Sequence, residues 1–262
     1  MTEGALGLEL IAVLFEPFMS WSSRTHWFAL LVTLGIALVW HWRNKSSLNS
    51  AIMRAVRSTS SWLDVQLWLG RQLLRVVVGS PVLITAWWLS THLIRWADAT
   101  LGQPELEWSP AVVTALYSLT LFVFWDLSRF ALHWCFHNIA VLWNFHQVHH
   151  SATVLTPMTF HRIHPVESWL YELRYVLSTG LIAAVFYWLF RGEFSSWTMF
   201  GVPTLGLLCN VLTGNLRHSH LWIRFPKHVE KWLLSPAHHQ LHHSADPAFH
   251  GCNYGTWLTV WD

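Results

Sequence analysis

Charged residues are scarce in this chain. Asp, Glu, Lys and Arg make up 11% of its 262 residues, whereas an average soluble domain has about 25%. Hydrophobic residues make up 53%, and the mean hydropathy is +0.33. The net charge of only +2 comes without the basic patch that nucleic-acid-binding proteins use. The composition therefore predicts a membrane protein with no nucleic-acid partner.

The cysteine pairs and cofactor motifs of several enzyme classes are also missing. Cys135, Cys209 and Cys252 are too widely spaced for a zinc ribbon or a disulfide framework. The sequence has no HExxH segment, which excludes the zinc-protease arrangement with its neighbouring glutamate base. It has neither a GxGxxG fingerprint nor a His-Pro-Gly-Gly haem segment. A redox enzyme built on this sequence would therefore take its electrons from a separate protein.

Long runs of the sequence contain no charged residue, and most of them approach the roughly 20 residues that a bilayer-spanning helix needs. The runs are 25–42, 76–94, 108–125, 175–190 and 194–216. The run 175–190 is short, so it either extends past Arg174 or packs with 197–213 as a hairpin. We therefore predict an all-α integral membrane protein with four to five transmembrane helices.

The charges of the loops predict an orientation in the membrane. Residues 43–75 carry six Lys and Arg residues against one acid, whereas residues 95–107 carry three acids against one arginine. The positive-inside rule places the first of these loops in the cytoplasm. Counting spans from there places every histidine cluster in a helical cap on the cytoplasmic side. The sequence shows no ER-retrieval signal, and its compact spans favour a bacterial inner membrane over the ER.

The chain is predicted to have two parts. Residues 1–107 would hold the first transmembrane helices. They would also hold an interfacial or re-entrant helix over 4–18 and an amphipathic helix over 58–70 on the cytoplasmic face. Residues 108–262 would form the catalytic domain, since 15 of the 18 histidines lie at or after residue 133.

Eight of these histidines fall in three clusters at helical spacing, and His218 is isolated. Residues three and four apart share one face of a helix, so each cluster can direct two or three ring nitrogens at one point. Together the clusters offer more ligands than one tetrahedral metal uses, which predicts a dinuclear metal site. The candidate ligands are His133, His137, His146, His149, His150, His218, His239, His242 and His243.

The ligand type narrows the choice of metal without fixing it. Affinity alone does not distinguish Fe, Zn, Cu and Ni, because imidazole nitrogens bind all four. So many histidines at a membrane surface suit two irons that change oxidation state and leave room for dioxygen. Two zinc ions remain compatible with the same ligands.

The order HxxxH, HxxHH, HxxHH in a multi-span protein resembles the fatty acid hydroxylase / sterol desaturase superfamily. The flanking residues agree: FHQVHHSATVLTP at 145–157, HPVE at 164–167, His-Ser at 218–219, and the segment 235–262 that begins SPAHHQLHH. The resemblance covers about 120–262. It implies two irons, O2 as co-substrate, and hydroxylation or desaturation of an unactivated C–H bond of a lipid. It also implies a separate electron donor, either a cytochrome b5, a ferredoxin or a flavoprotein reductase.

Two departures from the family pattern stand out. His220 occupies a position where the family usually has Asn, so it is expected to make a polar contact rather than to bind metal. The family's tail usually continues beyond Trp-Asp, whereas this sequence ends at Asp262, which leaves a truncation there open.

A second group of polar residues is expected to support the ligands rather than bind the metal. Asp126 is expected to pair with Arg129, and Glu167 to fix a ligand ring. His164 precedes a proline, so a purely structural turn is an equal alternative there. His161 is expected at the surface or at the membrane interface, and His238 is expected outside the ligand set. The candidates for supporting roles are Asp126, His164, Glu167, His250 and Asn253.

Two other functions fit parts of the pattern. A histidine-rich metal transporter would need ionisable residues inside its spans, and the uncharged runs have few of them. A zinc-dependent membrane hydrolase would use a metal-bound hydroxide, but no general base adjoins the histidines. The substrate lipid is not identified by the sequence.

Overall fold

The computed structural model describes residues 3–79, 82–104, 106–191, 194–199 and 202–262, and they are mostly helical. The longer helices are α1 (Glu3–Met19), α2 (Trp27–Arg43), α3 (Leu48–Arg57), α4 (Thr59–Val78), α5 (Ala86–Leu101), α6 (Pro110–Asn138), α7 (Ala140–His150) and α8 (Pro165–Phe190). The shorter elements are β1 (Thr198–Met199), β2 (Val202–Pro203), α9 (Thr204–Cys209), α10 (Lys227–Glu230) and α11 (Pro236–His242). Single turns of 3₁₀ helix lie at Pro157–His161, Leu216–His218 and Pro247–Phe249, and a π-helical turn lies at Asn210–Gly214.

Two of the described helices, α6 and α8, are long and apolar enough to cross a membrane. They pack against each other, and α5 packs against α8. A Cβ on Gly180 of α8 would lie 2.9 Å from Leu89 Cδ2 of α5, so glycine permits this close approach. Large apolar side chains such as Leu119 and Val185 face outward. A lipid environment accommodates such a surface, as expected for a membrane protein.

Two of the predicted spans are not single helices. In the run 76–94, α4 ends at Val78, Gly79 has a φ of +76°, and α5 begins only at Ala86. In the run 194–216, the strands β1 and β2 pair antiparallel before α9 begins. A lack of charge therefore does not ensure a continuous helix where glycine and a hairpin interrupt it.

Other sequence predictions agree with the observed helices. The run 175–190 extends past Arg174 to form α8, which was one of its two alternatives. Helices are present at 4–18 and 58–70, as α1 and α4. Their position relative to a membrane, the number of spans, the cytoplasmic orientation and the boundary at residue 107 stay predictions.

Helix α4 has its polar side inward and its apolar side outward. Ser60, Asp64 and Gln72 are buried, whereas Trp62 and Val77 are exposed. This polarity is the reverse of that of a helix on the surface of a soluble protein. It suits a helix whose outer face meets lipid and whose inner face supports a polar core.

The buried face of α4 holds the loop that follows α7. Asp64 Oδ1 accepts a hydrogen bond from Arg162 Nε at 2.5 Å, and Asp64 Oδ2 accepts one from Thr159 Oγ1 at 2.9 Å. Arg162 also donates from Nη2 to Ser60 Oγ at 2.9 Å. The side chains of Arg162 and Asp64 are 1% and 0% exposed. This ion pair therefore connects the N-terminal third to the histidine-rich half.

Removing the charge of Asp64 should strongly destabilise the protein. Asp64→Asn leaves the buried guanidinium of Arg162 without a counter-charge, which costs about 3–5 kcal/mol of the free energy of unfolding. Denaturant unfolding in detergent would measure it. The matched control is Glu16→Gln at the exposed Arg75–Glu16 pair, which should change the same quantity by less than about 1 kcal/mol. Equal effects of the two variants would contradict this role of Asp64.

Candidate metal centre

Four short segments bring the nine candidate ligands together. The C-terminal half of α6 carries His133 and His137, and α7 carries the three histidines of the first HxxHH. Ile139, in an extended conformation, both ends α6 and begins α7, so α7 folds back on α6. His218 lies in the 3₁₀ turn Leu216–His218, and the three histidines of the second HxxHH lie on or directly after α11.

The nine histidines form two clusters, and within each cluster one ligand atom per residue lies within 4.8 Å of all the others. Cluster 1 consists of His133, His137, His146, His150 and His242. Cluster 2 consists of His149, His218, His239 and His243. Each cluster could hold a metal ion, and no predicted ligand lies outside them.

The division follows from the helical repeat. His146 and His150 are four residues apart and share cluster 1, whereas the intervening His149 belongs to cluster 2. In α11 the assignment is reversed, because His239 and His243 share cluster 2 and His242 joins cluster 1. Each HxxHH segment therefore serves both clusters, which holds the two clusters side by side.

In cluster 1, three rings each donate their single N–H to an acceptor. That acceptor lies on the side of the ring that faces away from the centre of the cluster, here called the outer side. A neutral imidazole has one N–H and one lone pair, so an Nδ1 that donates leaves Nε2 as the acceptor or metal ligand. The Nδ1–H donors and their acceptors are His133 to Tyr254 O at 2.7 Å, His242 to Cys252 O at 2.9 Å, and His146 to Glu167 Oε1 at 2.9 Å.

The inner nitrogens of these three rings then face one another without a proton between them. His133 Nε2 lies 3.1 Å from His146 Nε2 and 3.1 Å from His242 Nε2. The Nε2 atoms of His137 and His150 are also buried, and neither has a hydrogen-bond partner among the described residues. Facing lone pairs repel, so this arrangement is complementary to a cation at its centre.

Cluster 2 has a similar geometry with fewer orienting hydrogen bonds. His218 Nε2 lies 3.1–3.2 Å from the Nε2 atoms of His149, His239 and His243. One ring nitrogen carries at most one proton, so hydrogen bonding alone cannot satisfy all three contacts. His149 Nδ1 donates to Arg162 O at 3.3 Å, whereas the Nδ1 atoms of the other three rings have no partner among the described residues.

The distances fit metal coordination. Metal–nitrogen bonds of about 2.0–2.1 Å at angles of roughly 90–109° separate neighbouring ligand nitrogens by about 2.8–3.4 Å. The observed separations of 3.1–3.2 Å lie within this range. Burial lowers the pKa of His146 and His149 to about 3 and that of His242 to about 4. The rings are therefore neutral near pH 7, as metal ligands must be.

A small chamber of about 40 Å³ adjoins both clusters. It is lined by His133 and His146 of cluster 1, by His149 and His218 of cluster 2, and by Arg129. One water molecule needs roughly 10–15 Å³ of such space. The chamber therefore accommodates a molecule of a few atoms beside the two clusters.

Of the predicted supporting residues Glu167 and Asp126, only Glu167 makes the contact that was predicted for it. Glu167 contacts a ligand ring, as described for His146. Asp126 does not pair with Arg129, and that prediction was wrong. Its carboxylate accepts from the backbone N–H groups of Trp257 and Leu258, each at 3.0 Å, because these buried amides need an acceptor. Asp126 therefore fixes the C-terminal segment that supplies the carbonyl of Tyr254.

The other three supporting candidates do not hydrogen-bond a clustered histidine. His164 caps α8, because its Nδ1 accepts from Val166 N at 3.2 Å, so the structural alternative for this residue is correct. His250 is exposed. Asn253 has a φ of +59° and donates to Cys252 Sγ at 3.3 Å.

The remaining histidines lie outside both clusters. His161, predicted at the surface or at the membrane interface, is buried inside the protein and bonded to Thr25 Oγ1 at 3.0 Å and to Arg71 Nη2 at 3.1 Å. His220 contacts His41, with 2.9 Å between the two Nε2 atoms. His238 lies beside Glu230 at 3.8 Å. Both lie outside the clusters, and a polar contact had been predicted for His220 alone.

Sequence reasoning missed the groups that orient three ligand rings. They are the backbone carbonyls of Arg162, Cys252 and Tyr254. Every residue has such a carbonyl, so no residue type in the sequence marks these positions. The buried pair of Asp64 and Arg162 had a weak signal, namely an isolated acid in an otherwise apolar or basic segment.

Comparison with known proteins places these residues in a family context. The model of the family described as fatty acid hydroxylase matches residues 118–262. Lathosterol oxidase of Homo sapiens is 25% identical over 152 residues, covering 58% of this chain and 42% of the relative. Alkylglycerol monooxygenase of Danio rerio is 27% identical over 167 residues, covering 60% of this chain and 31% of the relative. The matched part spans less than half the length of these relatives, and no solved structure matches.

The two clusters predict two bound metal ions per chain. His137→Ala in cluster 1 and His239→Ala in cluster 2 should each remove at least one metal equivalent, because each deletes a converging nitrogen. Elemental analysis of the purified protein would count the metals. The matched control is His238→Ala, since His238 adjoins His239 in sequence but lies outside both clusters. Unchanged metal content in both cluster variants would contradict the assignment.

The lowered pKa values also predict sensitivity of the metal-free protein to acid. The folded-state pKa of His146 is about 3, below the unfolded value of about 6.5. The unfolded state therefore binds more protons between these values, and stability falls as the pH falls from about 6.5 towards 3. Thermal unfolding of metal-free protein across this range would measure the decline. A midpoint independent of pH would contradict the burial of neutral histidines.

Proposed function

The chain belongs to the fatty acid hydroxylase / sterol desaturase superfamily, and on that premise we propose that it is an oxygen-dependent membrane oxidoreductase that acts on a lipid. The reaction is hydroxylation or desaturation of an unactivated C–H position. The nine clustered histidines bind two iron ions, and a separate protein supplies the electrons.

The observation that carries this proposal is the pairing of two all-histidine clusters beside a chamber that admits only a small molecule. Two metal sites joined by shared HxxHH segments suit a substrate that takes electrons from both metals. A chamber of about 40 Å³ suits dioxygen and is far too small for a lipid. The lipid would therefore present only the reacting carbon to this space.

The names of the relatives favour iron over zinc. The relatives are called an oxidase and a monooxygenase, and both names describe redox reactions. Zinc has no redox chemistry, whereas iron bound by imidazole can change oxidation state. When bound, iron supplies the activation of dioxygen, which no side chain of the protein can perform.

The reaction balances with one external pair of electrons. Hydroxylation consumes the lipid, one O2, two electrons and two protons, and yields the alcohol and one water. Desaturation consumes the same reagents, and yields the alkene and two waters. The proposed donor is a cytochrome b5, a ferredoxin or a flavoprotein reductase, as the family resemblance implies.

The residues around the clusters position the ligands and exclude bulk water. The carbonyls of Tyr254 and Cys252 fix the orientation of two rings in cluster 1. The carboxylate of Glu167 accepts from His146 Nδ1, which fixes that ring and makes its Nε2 a stronger ligand. Since most of the clustered rings are buried, solvent has little access to the reacting centre.

The clusters are also placed where a lipid and a soluble donor can both reach them. His133 and His137 lie at the C-terminal end of α6, beyond the apolar part of that helix. A lipid can approach along the membrane, while electrons arrive at the histidine-rich cap. On the positive-inside argument that cap faces the cytoplasm, and a bacterial inner membrane is the proposed location.

The proposal is tested by lipid analysis of cells with and without the protein, under air and under nitrogen. We expect a product that carries one added oxygen or one added double bond, formed only under air. His239→Ala should abolish the product, and His238→Ala should retain it. A product formed under nitrogen would instead indicate hydrolysis by a metal-bound hydroxide. A product that is unaffected by His239→Ala would contradict a role of the clusters.

A further inference from the structure

A charged cavity lies between the end of α1, the C-terminal half of α4 and the first turns of α8. Its volume is about 260 Å³, whereas one water molecule needs roughly 10–15 Å³ of such space. Glu16 and Ser20, Arg71 and Arg75 of α4, and Glu172 of α8 are among the residues that line it. The cavity therefore has room for a group much larger than a single ion, and its walls carry charges of both signs.

The surface around this cavity is apolar. Phe15, Met19 and Val78 are 58%, 65% and 61% exposed, and each adjoins in sequence a residue that lines the cavity. The helices α1 and α4 thus place polar residues at the cavity and apolar side chains on the outside. Such a surface suits an amphiphile whose polar end enters the protein while its chains stay in the lipid.

Arg71 brings a positive charge without an ion-pair partner to the cavity. Burial lowers its pKa to about 10, so the guanidinium keeps its proton near pH 7. Among the described residues it forms no ion pair, whereas the neighbouring Arg75 pairs with Glu16 at 2.8 Å. The Nη1 atom of Arg71 is neither hydrogen-bonded to a described residue nor fully buried. It is therefore accessible to an anion in the cavity that Arg71 lines.

A chain of hydrogen bonds holds Arg71 in place. Burial lowers the pKa of His161 to about 3, so its ring is neutral and its Nδ1 accepts from Arg71 Nη2 at 3.1 Å. The ring proton then lies on Nε2 and is donated to Thr25 Oγ1 at 3.0 Å. Thr25 Oγ1 in turn donates to Pro17 O at 3.1 Å. The guanidinium is thus ordered before any ligand binds, which lowers the entropic cost of binding.

The carboxylates determine which kind of anion fits. Glu16 and Glu172 line the same cavity as Arg71, so they repel a simple anion such as free phosphate. A group that carries both a phosphate and an ammonium places one charge at Arg71 and the other at Glu172. A primary ammonium donates hydrogen bonds to a carboxylate, whereas a quaternary amine has no N–H to donate. The cavity therefore favours a zwitterion with a primary amine.

We propose that this cavity binds the headgroup of an ethanolamine phospholipid, with its phosphate at Arg71 and its amine at Glu172. The acyl chains lie over the apolar outer sides of α1 and α4. A lipid bound in this way bridges α4 and α8, and so joins the N-terminal third to the histidine-rich half. The site goes beyond the proposed function and does not depend on it, because no clustered histidine is among the residues that line the cavity.

Native mass spectrometry of the metal-loaded full chain in detergent tests the headgroup. The protein is offered equal amounts of dioleoyl phosphatidylethanolamine, phosphatidylcholine and phosphatidylglycerol. We expect the first bound lipid to be the ethanolamine lipid at least about fivefold more often than either of the others, because it alone offers hydrogen-bonding groups of both charges. Glycerophosphoethanolamine should displace it, whereas inorganic phosphate at the same concentration should not.

Two variants assign the two charges. Arg71→Gln should lower the binding of all three lipids at least about fivefold, because each has the phosphate that Arg71 meets. Glu172→Gln should keep the phosphate contact and remove the preference for the ethanolamine lipid over phosphatidylglycerol. The matched controls are Arg57→Gln and Glu107→Gln, which change exposed residues outside the cavity and should leave the distribution of bound lipids unchanged.

Metal content and the thermal unfolding midpoint are measured for every variant, so that a folding defect is not mistaken for a lost contact. If Arg71→Gln loses its metal, Glu172→Gln decides, because the side chain of Glu172 is exposed. Its substitution should leave the fold intact.

Any distribution in which the ethanolamine lipid is not preferred, including the absence of bound lipid, would overturn the site. So would displacement by inorganic phosphate as effective as that by glycerophosphoethanolamine, because the phosphate alone would then account for the affinity. Wild-type lipid binding by folded Arg71→Gln and by Glu172→Gln would contradict the assigned contacts. A preference lost equally in the two control variants would show that overall surface charge selects the lipid, and the site would again be overturned.

Discussion

Facing lone pairs in a buried space are the constraint on which the histidine-rich half depends. His133 Nε2 lies 3.1 Å from His146 Nε2, and the protons of both rings are already engaged on the outer side. Two such nitrogens repel, and burial removes the solvent that would weaken the repulsion. A cation that both rings coordinate converts the repulsion into bonding. Metal binding would therefore contribute directly to the folding free energy of this half.

The fold opposes that repulsion by fixing the outer sides of the rings. Glu167 and the carbonyls of Cys252 and Tyr254 hold cluster 1, while the carbonyl of Arg162 holds His149 in cluster 2. These groups are fixed in turn by buried carboxylates, because Asp126 binds the C-terminal segment and Asp64 binds the side chain of Arg162. Polar groups thus gather inside the molecule and apolar side chains cover the outside, which is the polarity that a bilayer favours.

The limits of the sequence are clearest in its uncharged runs. Composition identified the two helices that are long enough to span a bilayer, α6 and α8. It did not distinguish them from 76–94 and 194–216, which are equally free of charge but are not continuous helices. The difference lies in backbone conformation, such as the positive φ of Gly79 and the hairpin of β1 and β2. Hydropathy reports where a segment can lie and carries no information on where its helix is interrupted.

The sequence by itself determined which histidines come together, because spacings of three and four residues place side chains on neighbouring faces of a helix. It also determined the family, through the residues that flank those histidines. Only the tertiary structure decided that His146 and His150 meet His133 and His242 whereas His149 meets His218, and which carbonyl fixes each ring. It also brought Arg71 and Glu172 to one cavity. The physical reason is that helical spacing is a local property, whereas these contacts join segments far apart in the chain and use backbone atoms that every residue has.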